Sequence, residues 1–159
     1  GYHFKETLEL RDKYKKLGFN IVDIYPEDRN PDPKLPKEDP ELCCQKNKVE
    51  PLSKILNSDD YDAWITGISR AQSETRLNTR YLEKTKSTKV KINPLISWQN
   101  DEIWQYIREK RVPYNPLFDQ GYSSIGCEPC TTKVKPGEDV RAGRWRGTSK
   151  KECGLHTEL

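Results

Sequence analysis

The alternation of apolar and polar positions predicts a helix at the start of the chain and short strands after it. Apolar or aromatic residues recur at positions 4, 8, 10, 14 and 17 among charged neighbours, and Gly18 follows as a stop signal. This spacing predicts an amphipathic helix over residues 4–17. Apolar runs at 19–25, 62–66 and 89–92 predict strands, the second of them buried and ending at Gly67.

The segments between these strands are expected to be loop or short helix. Residues 26–40 contain five prolines among many charges, which predicts a loop without regular structure. One short helix is expected to start near Leu42, with Cys43 and Cys44 near its beginning, and a second to cover residues 51–56.

The last predicted helix lies in the second half of the chain. Ser97 or Asn100 can cap it, and Lys110 and Arg111 close it. From residue 112 onward we expect mostly loop. Because parallel strands need crossover helices, the alternation of helices with short strands predicts an α/β fold with a parallel sheet.

The composition leaves little apolar surface to offset the entropy of folding. Of 159 residues, 33% are hydrophobic and 33% are charged, so the fold is expected to need further support. A bound metal centre would add its binding free energy to folding. The chain starts at Gly1 and contains no Met, and we therefore expect it to be N-terminally incomplete.

The charge and hydropathy patterns exclude some classes of partner. The 28 basic and 25 acidic residues give a net charge of +3, too balanced for a nucleic-acid-binding surface. Basic residues concentrate late in the chain, where they suit a small anion or form a solvated face. We find no apolar run of roughly 18 residues and no leader, so we expect a cytoplasmic protein without a membrane span.

Five cysteines supply the candidate chemistry. They lie in an adjacent pair, Cys43-Cys44, in Cys127-Glu128-Pro129-Cys130, and in a lone Cys153. A Cys-x-x-Cys alone is a weak signal, since zinc ribbons and redox motifs share it. Two adjacent thiolates suit separate irons of a cluster better than one tetrahedral zinc. We predict a [4Fe–4S] cluster on Cys43, Cys44, Cys127 and Cys130, with zinc or unliganded thiols as alternatives.

Cys153 is the candidate reactive thiol. Lys150, Lys151 and His156 flank it, and positive neighbours lower the pKa of a thiol and raise its thiolate fraction. An idle, exposed thiol near the end of a chain is an equally good interpretation of these residues alone.

Several segments carry a resemblance to one enzyme family. They are Cys43-Cys44 with Lys48 and Glu50-Pro51-Leu52, TGISRAQSETR at 66–76, NPL at 93–95 with Trp98, VPYNPL at 112–117, GYSSIGCEPCT at 121–131, RAGRW at 141–145 and ECGLH at 152–156. With them the chain resembles assimilatory adenylyl-sulfate reductases, the cluster-containing branch of the sulfonucleotide reductase family.

The resemblance implies a fold and a division of the chain. The fold is an adenine-nucleotide α-hydrolase-like parallel sheet flanked by helices, with the first strands and the phosphate loop missing and a loop-rich C-terminal tail. Residues 1–130 are then the C-terminal portion of the reductase domain, including the iron–sulfur site, and 131–159 are its mobile catalytic tail. Without a phosphate loop, this length of chain alone is expected to be inactive.

The resemblance also implies the reaction. Adenosine 5′-phosphosulfate is reduced to sulfite and AMP through an S-sulfocysteine on Cys153, which thioredoxin or a similar thiol reductant resolves. His156 would support the thiolate or contact the leaving group, unless it is only a surface histidine. A homo-oligomer is expected, and the cluster is expected to shape charge rather than relay electrons.

Six residues are implied as substrate ligands: Gly67, Arg70, Arg76, Arg141, Arg144 and Lys48. Guanidinium forks can hold sulfate and phosphate oxygens together, which lysine does only as a point charge. Stacking of Arg144 on Trp145, or ion pairs with Glu138 and Asp139, would instead make that arginine structural. Ser69 stands where relatives often carry an arginine, which weakens the match of that loop.

Other functions remain open at the level of the sequence. Within the enzyme class, the alternative substrate is 3′-phosphoadenosine 5′-phosphosulfate, or both nucleotides. Outside it, the alternatives are a non-catalytic metal-binding module, for which Cys153 would be dispensable, and a nucleic-acid-binding zinc domain, against which the balanced charge argues.

Overall fold

The first helix docks against the loop that follows the last one. The computed structural model describes residues 2–30, 32–85 and 89–156, without the side chain of His156. Helix α1, Lys5–Lys16, confirms the first prediction, and Gly18 follows it with φ of 90°. Phe4 is buried edge-on against Tyr122, with ring centroids 5.5 Å apart. The Tyr14 hydroxyl donates to the Pro113 carbonyl at 2.7 Å.

A nearly continuous helical stretch replaces the two short helices predicted around the cysteine pair. It runs through α3, Pro40–Cys44, a π turn, Gln45–Val49, and α4, Glu50–Leu56. Asp39 caps α3 by accepting from the Leu42 amide at 2.9 Å. One helical turn, α2 (Leu35–Glu38), precedes it, so the expectation that 26–40 lacks regular structure is wrong there. Proline is tolerated in a first helical turn, and Pro36 lies in one.

The π turn has a local cause in Pro51. Proline has no N–H and clashes with the carbonyl four residues earlier, here that of Asn47. One residue before it, the Glu50 amide bonds to the Gln45 carbonyl, a five-residue step. The Asn47 side chain bonds back to the Cys43 carbonyl at 3.0 Å. The wider turn lets the helix continue past the proline and places Lys48 within the bulge, where π turns often mark functional sites.

The sheet has three short strands in the order β1, β3, β2. Strand β1 (Ala63–Ile65) pairs in parallel with β3 (Val90–Ile92), and β2 (Leu82–Lys84) pairs antiparallel with β3. The α/β class and the parallel pair confirm the prediction, and the antiparallel strand was not predicted. On one face, the buried Lys91 ammonium lies 3.6 Å from a Glu83 carboxylate oxygen and over the Trp64 ring.

Two strand predictions need correction. Strand β1 is not buried: Ile65 is 71% exposed, since β1 is an edge strand and its apolar face has no covering layer among the described residues. Residues 19–25 form no strand. An extended segment becomes a strand only when a neighbour satisfies its backbone, and within the described ranges no strand pairs with it.

Asn93 ties the carboxyl ends of the parallel strands together. Its side chain is fully buried. It accepts from the Thr66 hydroxyl beyond β1 and donates to the Arg80 carbonyl at 2.8 Å and to a Glu83 carboxylate oxygen at 3.2 Å. Since the predicted substrate loop begins at Gly67, Asn93 fixes where that loop leaves the sheet.

The second half of the chain has one long helix and then mostly loop, as predicted. Helix α5 is Asn100–Lys110, and Arg111 ends it in the left-handed conformation, φ 52°. Its cap is Gln99, which forms a capping box with Glu102; the prediction of Ser97 or Asn100 was therefore wrong by one or two positions. None of the described helices has the length and apolar character needed to cross a membrane.

We predict that Asn93→Ala destabilises the protein by about 2–4 kcal/mol, because the buried groups that bond to the Asn93 amide lose their hydrogen-bond partner. Urea unfolding would show a lower midpoint at unchanged slope. The exposed Asn78→Ala is the matched control and should shift the midpoint little. An Asn93→Ala midpoint equal to that of Asn78→Ala would show that Asn93 does not hold the strand ends.

Candidate functional site

Helix α3 and one 3₁₀ turn bring the four paired cysteines together. Cys43 and Cys44 end α3, where the π turn begins. Cys127 precedes the 3₁₀ turn Glu128–Cys130, and Cys130 is its last residue. Cys43, Cys44 and Cys127 are buried and Cys130 is half-buried. The His3 backbone bridges that of Cys127, so the N-terminal residues hold the Cys-x-x-Cys segment in place.

Lys48 interacts electrostatically with all five thiols. Its positive charge acts on Cys43, Cys44, Cys127, Cys130 and Cys153. Burial alone would lower the pKa of Lys48, but attraction to the sulfur groups raises it above its ordinary value. A charged lysine is therefore stable at the centre of this group.

The paired cysteines are a soft donor set that resists ionisation by itself. Burial, followed by the charges of Cys127 and Cys130, raises the pKa of Cys43 to about 11. Burial and Cys127 also raise the pKa of Cys130. Throughout residues 2–30, 32–85 and 89–156, no three Cys, His, Asp or Glu side chains are arranged to hold one metal ion. The chain thus offers thiols gathered in one region but no ready-made single-ion site.

Cys153 belongs to the same buried group. It is 7% exposed and packs with Cys44 and Trp145, and Cys130 and Leu155 border them. A hydrogen bond from the Cys44 thiol lowers the pKa of Cys153; burial opposes this, while Lys48, the Leu155 amide and Lys150 reinforce it. The same hydrogen bond, together with burial, raises the pKa of Cys44. The lone thiol is therefore buried and favours its thiolate, unlike an idle surface cysteine.

Ion pairs of two charged residues just before Cys153 seat the end of the chain. The Lys150 ammonium is buried and bonds to the Glu41 carboxylate on α3. The Glu152 carboxylate bonds to Arg76 at 2.8 and 3.0 Å and to Arg141 at 2.9 Å. Burial would raise the pKa of Glu152, but the Arg76 hydrogen bonds, the Cys153 amide and the Arg141 charge lower it to about 2.

Trp145 forms a platform for cations beside Cys153. It is buried and adopts φ of 46°, a conformation that is strained for a bulky residue. Arg144 stacks on its ring at 4.3 Å, and Arg141 and Lys150 lie at 5.8 and 5.5 Å from its centroid. The predicted alternative of stacking is therefore observed for Arg144, whereas Glu138 pairs with Arg146.

Several buried N–H groups around this ring have no acceptor within the described part of the chain. They are Nε of Arg141, Nε of Arg144 and Nε1 of Trp145. Burial lowers the pKa of both arginines, which means that their charge is not fully compensated. Because unpaired buried donors are costly, this cluster favours an anionic ligand.

Close packing at two glycines positions Arg144. A Cβ on Gly126 would lie 2.3 Å from Nη2 of Arg144, and one on Gly143 would lie 2.1 Å from the Thr132 carbonyl oxygen. Arg144 also donates to the Ser124 hydroxyl at 3.3 Å. Only glycine leaves room for the guanidinium and for the backbone beside it.

In the described part of the chain, no hydrogen bond or ion pair joins Cys153 directly to the other predicted substrate residues, Gly67, Arg70 and Arg76. Arg76 is buried and reaches Cys153 only through Glu152. The Arg70 guanidinium donates to the Thr79 carbonyl at 2.8 and 3.0 Å. Gly67 follows β1, with open space where a side chain would be. The side chain of His156 lies outside the described residues.

Three residues at this site make contacts beyond those predicted from the sequence. Glu152 and Lys150 were seen only as neighbours of Cys153, and Trp145 only as a stacking partner. Glu152 bonds to a residue 76 positions away, a separation that no local spacing rule can detect. The one available signal is that charged residues directly flank a candidate nucleophile.

Comparison with known proteins gives consistent matches. A model of the phosphoadenosine phosphosulfate reductase domain matches residues 1–133. Adenosine 5′-phosphosulfate reductase of Halalkalibacterium halodurans is 47% identical, over 98% of this chain and 70% of that protein. The Streptomyces coelicolor protein of the same name is 45% identical, over 98% and 69%. The crystal structure of phosphoadenylyl-sulfate (PAPS) reductase from Candida auris, phosphate complex, shares 29% identity with a TM-score of 0.70, covering 84% of this chain and 67% of that one.

We predict that Glu152 contributes stability on the order of 3 kcal/mol near neutral pH, from the drop of its pKa from 4.5 to about 2 on folding. A carboxylate whose pKa is lower in the folded state stabilises the fold at any pH above its unfolded-state pKa. This stabilisation is lost as the pH falls through the folded-state pKa. The difference in unfolding free energy between the parent and Glu152→Gln should therefore shrink between pH 4.5 and 2. A difference that stays constant across that range would contradict the assignment.

Proposed function

The chain belongs to the phosphoadenosine phosphosulfate reductase family, and from that premise we propose that it reduces adenosine 5′-phosphosulfate to sulfite and AMP. The observation that carries the proposal is the position of Cys153. Its thiol is buried beside Lys48, next to unpaired N–H donors of Arg141, Arg144 and Trp145. A nucleophile and an anion-binding cluster therefore lie side by side.

The first requirement of the reaction is to bring a thiolate to an anionic sulfonate. The two charges repel each other, and nearby cations must offset the repulsion. Arg141 and Arg144 are held by Trp145 in a partly buried, rigid arrangement, so they need little reorganisation to receive phosphate and sulfonate oxygens. The free N–H groups of this cluster are the donors that we assign to the substrate.

The chemistry then proceeds in two displacements. The Cys153 thiolate attacks the sulfur of the substrate; an S–S bond forms, the S–O bond to the phosphate breaks, and its electron pair leaves on AMP. The product is S-sulfocysteine. A dithiol reductant such as thioredoxin then attacks the Cys153 sulfur, sulfite leaves with the electron pair, and the second reductant thiol frees Cys153 by forming a disulfide.

The residues around Cys153 keep its thiol deprotonated for the first step. Lys48, Lys150 and the Leu155 amide all stabilise the thiolate. Cys44 cannot donate a proton to Cys153 and also ligate a metal as a thiolate. With Cys44 acting as a ligand, the two lysines and the amide therefore have to hold the thiolate without it.

We further propose that Cys43, Cys44, Cys127 and Cys130 hold a [4Fe–4S] cluster. The donor set fits, because four thiols, three of them buried, are gathered in one region, and thiolates are the ligands of such clusters. A cluster takes one thiol per iron, so it does not need the convergence on one ion that the described residues lack. When bound, the cluster would supply a fixed charge near Lys48 and would tie the Cys-x-x-Cys segment to α3.

The similarities favour the unphosphorylated nucleotide as the substrate. Relatives at 45% and 47% identity are named adenosine 5′-phosphosulfate reductases, whereas the structural neighbour at 29% identity is a PAPS reductase. The four paired cysteines support the same choice, because they are part of the chain's resemblance to the cluster-containing branch of the family.

We predict that Cys153→Ser in the intact protein lowers sulfite release by at least about a thousandfold, because the hydroxyl is a far weaker nucleophile. Parent protein incubated with adenosine 5′-phosphosulfate but without a reductant should carry one sulfonate group on Cys153, identified by peptide mass mapping.

The nearby, exposed Ser149→Ala serves as the control and should retain parental turnover. Sulfite release from Cys153→Ser at the parental rate would refute the covalent mechanism and would favour a non-catalytic metal module.

We predict that anaerobically purified protein contains four irons and four inorganic sulfides per chain, and that Cys43→Ser loses both. Cys153→Ser, which also replaces a buried thiol, should keep them and is the matched control. Zinc in place of iron, or full iron content in Cys43→Ser, would contradict the cluster assignment.

A further inference from the structure

The Glu152 carboxylate is saturated by hydrogen bonds from three parts of the chain. Oε1 accepts from Nη2 of Arg76, Nη2 of Arg141 and the Cys153 amide at 3.0, 2.9 and 3.0 Å. Oε2 accepts from Nε of Arg76 at 2.8 Å and from the Thr75 hydroxyl at 3.2 Å. The side chains of Glu152 and Arg76 are each 7% exposed, so water competes little for these bonds.

All three nitrogens of the Arg76 guanidinium are engaged by the protein. Nε and Nη2 form the two-pronged pair with Glu152, and Nη1 donates to the Gln72 side-chain oxygen. Arg141 and Arg144 differ, since each keeps a buried Nε with no acceptor in the described ranges. An anion arriving beside Cys153 thus meets unpaired Nε–H donors on Arg141 and Arg144, whereas every nitrogen of the Arg76 guanidinium already bonds to the protein.

The geometry also links this pair directly to the nucleophile. Glu152 precedes Cys153 in the chain, and its own carboxylate accepts the Cys153 amide. A shift of the carboxylate therefore moves the peptide that carries the thiol. Arg76 lies in the 3₁₀ turn Glu74–Arg76 beyond the strand ends, so the pair connects residues 150–156 to the sheet domain.

We propose that Arg76 and Glu152 form a latch that seats Cys153 in the site, and that Arg76 is a positioning residue rather than a substrate ligand. The proposal rests on the proposed role of Cys153 as the nucleophile. It reassigns one of the six residues that the family resemblance implies as substrate ligands. Opening the latch unseats the thiol for the reductant, and closing it excludes water from the first displacement.

The first test measures how well Cys153 is seated, without any substrate. The rate of Cys153 alkylation by iodoacetamide is followed by peptide mass mapping in the parent, Glu152→Gln, Arg76→Lys and the double variant. We expect each single change to accelerate alkylation at least about tenfold, because a buried thiol reacts only when its segment opens. The double variant should react no faster than the quicker single one.

Glu138→Gln is the matched control. Glu138 is bonded by Arg146 and by the Lys135 amide and has a pKa lowered to about 2, as Glu152 has, yet it lies outside the latch. Its alkylation rate should equal the parental one. Unchanged rates in both single latch variants, or increases that multiply in the double variant, would overturn the latch.

The second test separates positioning from substrate binding in steady-state kinetics. Glu152→Gln should lower kcat about tenfold or more with KM changed less than threefold, and Glu152→Asp, which keeps the charge, should recover part of kcat. Arg76→Lys made in the Glu152→Gln background should leave KM unchanged. A several-fold rise in KM there would show that Arg76 binds substrate directly, which overturns the proposal.

The two tests distinguish failure of the latch from failure of the proposed function. If neither the intact parent protein nor any variant made in it releases sulfite, the proposed function is wrong, and the alkylation rates still decide whether Arg76 and Glu152 seat Cys153. Arg76→Lys retains a buried cation opposite Glu152, so it provides a second measurement should Glu152→Gln fold poorly.

Discussion

The structure depends on gathering four buried thiols and one half-buried thiol near one ammonium group. Lys48 interacts with every cysteine of the chain, and Cys44, Cys153 and Trp145 form the buried cluster beside it. In a chain of which a third is charged, the candidate site thus also serves as part of the hydrophobic core. The same residues therefore contribute to stability and to chemistry.

The positive charges around this core divide into three kinds. Lys48 and Lys150 compensate thiolates, Arg76 compensates Glu152, and Arg141 and Arg144 keep unpaired N–H groups beside Trp145. Sequence spacing treats the three arginines alike, as possible anion ligands. Their hydrogen-bond partners separate them, because every nitrogen of the Arg76 guanidinium bonds to the protein, whereas Arg141 and Arg144 each keep a buried Nε without an acceptor among the described residues.

What the sequence predicts well is local. The bounds of α1 follow from an apolar stripe and Gly18, the end of α5 from its basic residues, and the grouping of four cysteines from their motifs. What it misses depends on distant partners. Residues 19–25 have the composition of a strand but no neighbour to pair with, β2 takes its direction from β3, and Glu152 meets Arg76 across most of the chain. Tertiary context decided each of these cases.

The π turn constrains the number of residues in this helical stretch as strictly as it constrains their identity. A π turn holds one residue more than the α-helical turn it replaces, and each residue of an α-helix adds about 100° of rotation and about 1.5 Å of rise. Deleting one residue between Gln45 and Val49 would therefore turn the bulge into an ordinary α-helical turn, which keeps α4 in phase with the cysteine pair but removes the bulge that contains Lys48. For this protein, deletion of one residue from that helical stretch would be a more severe change than most substitutions within it.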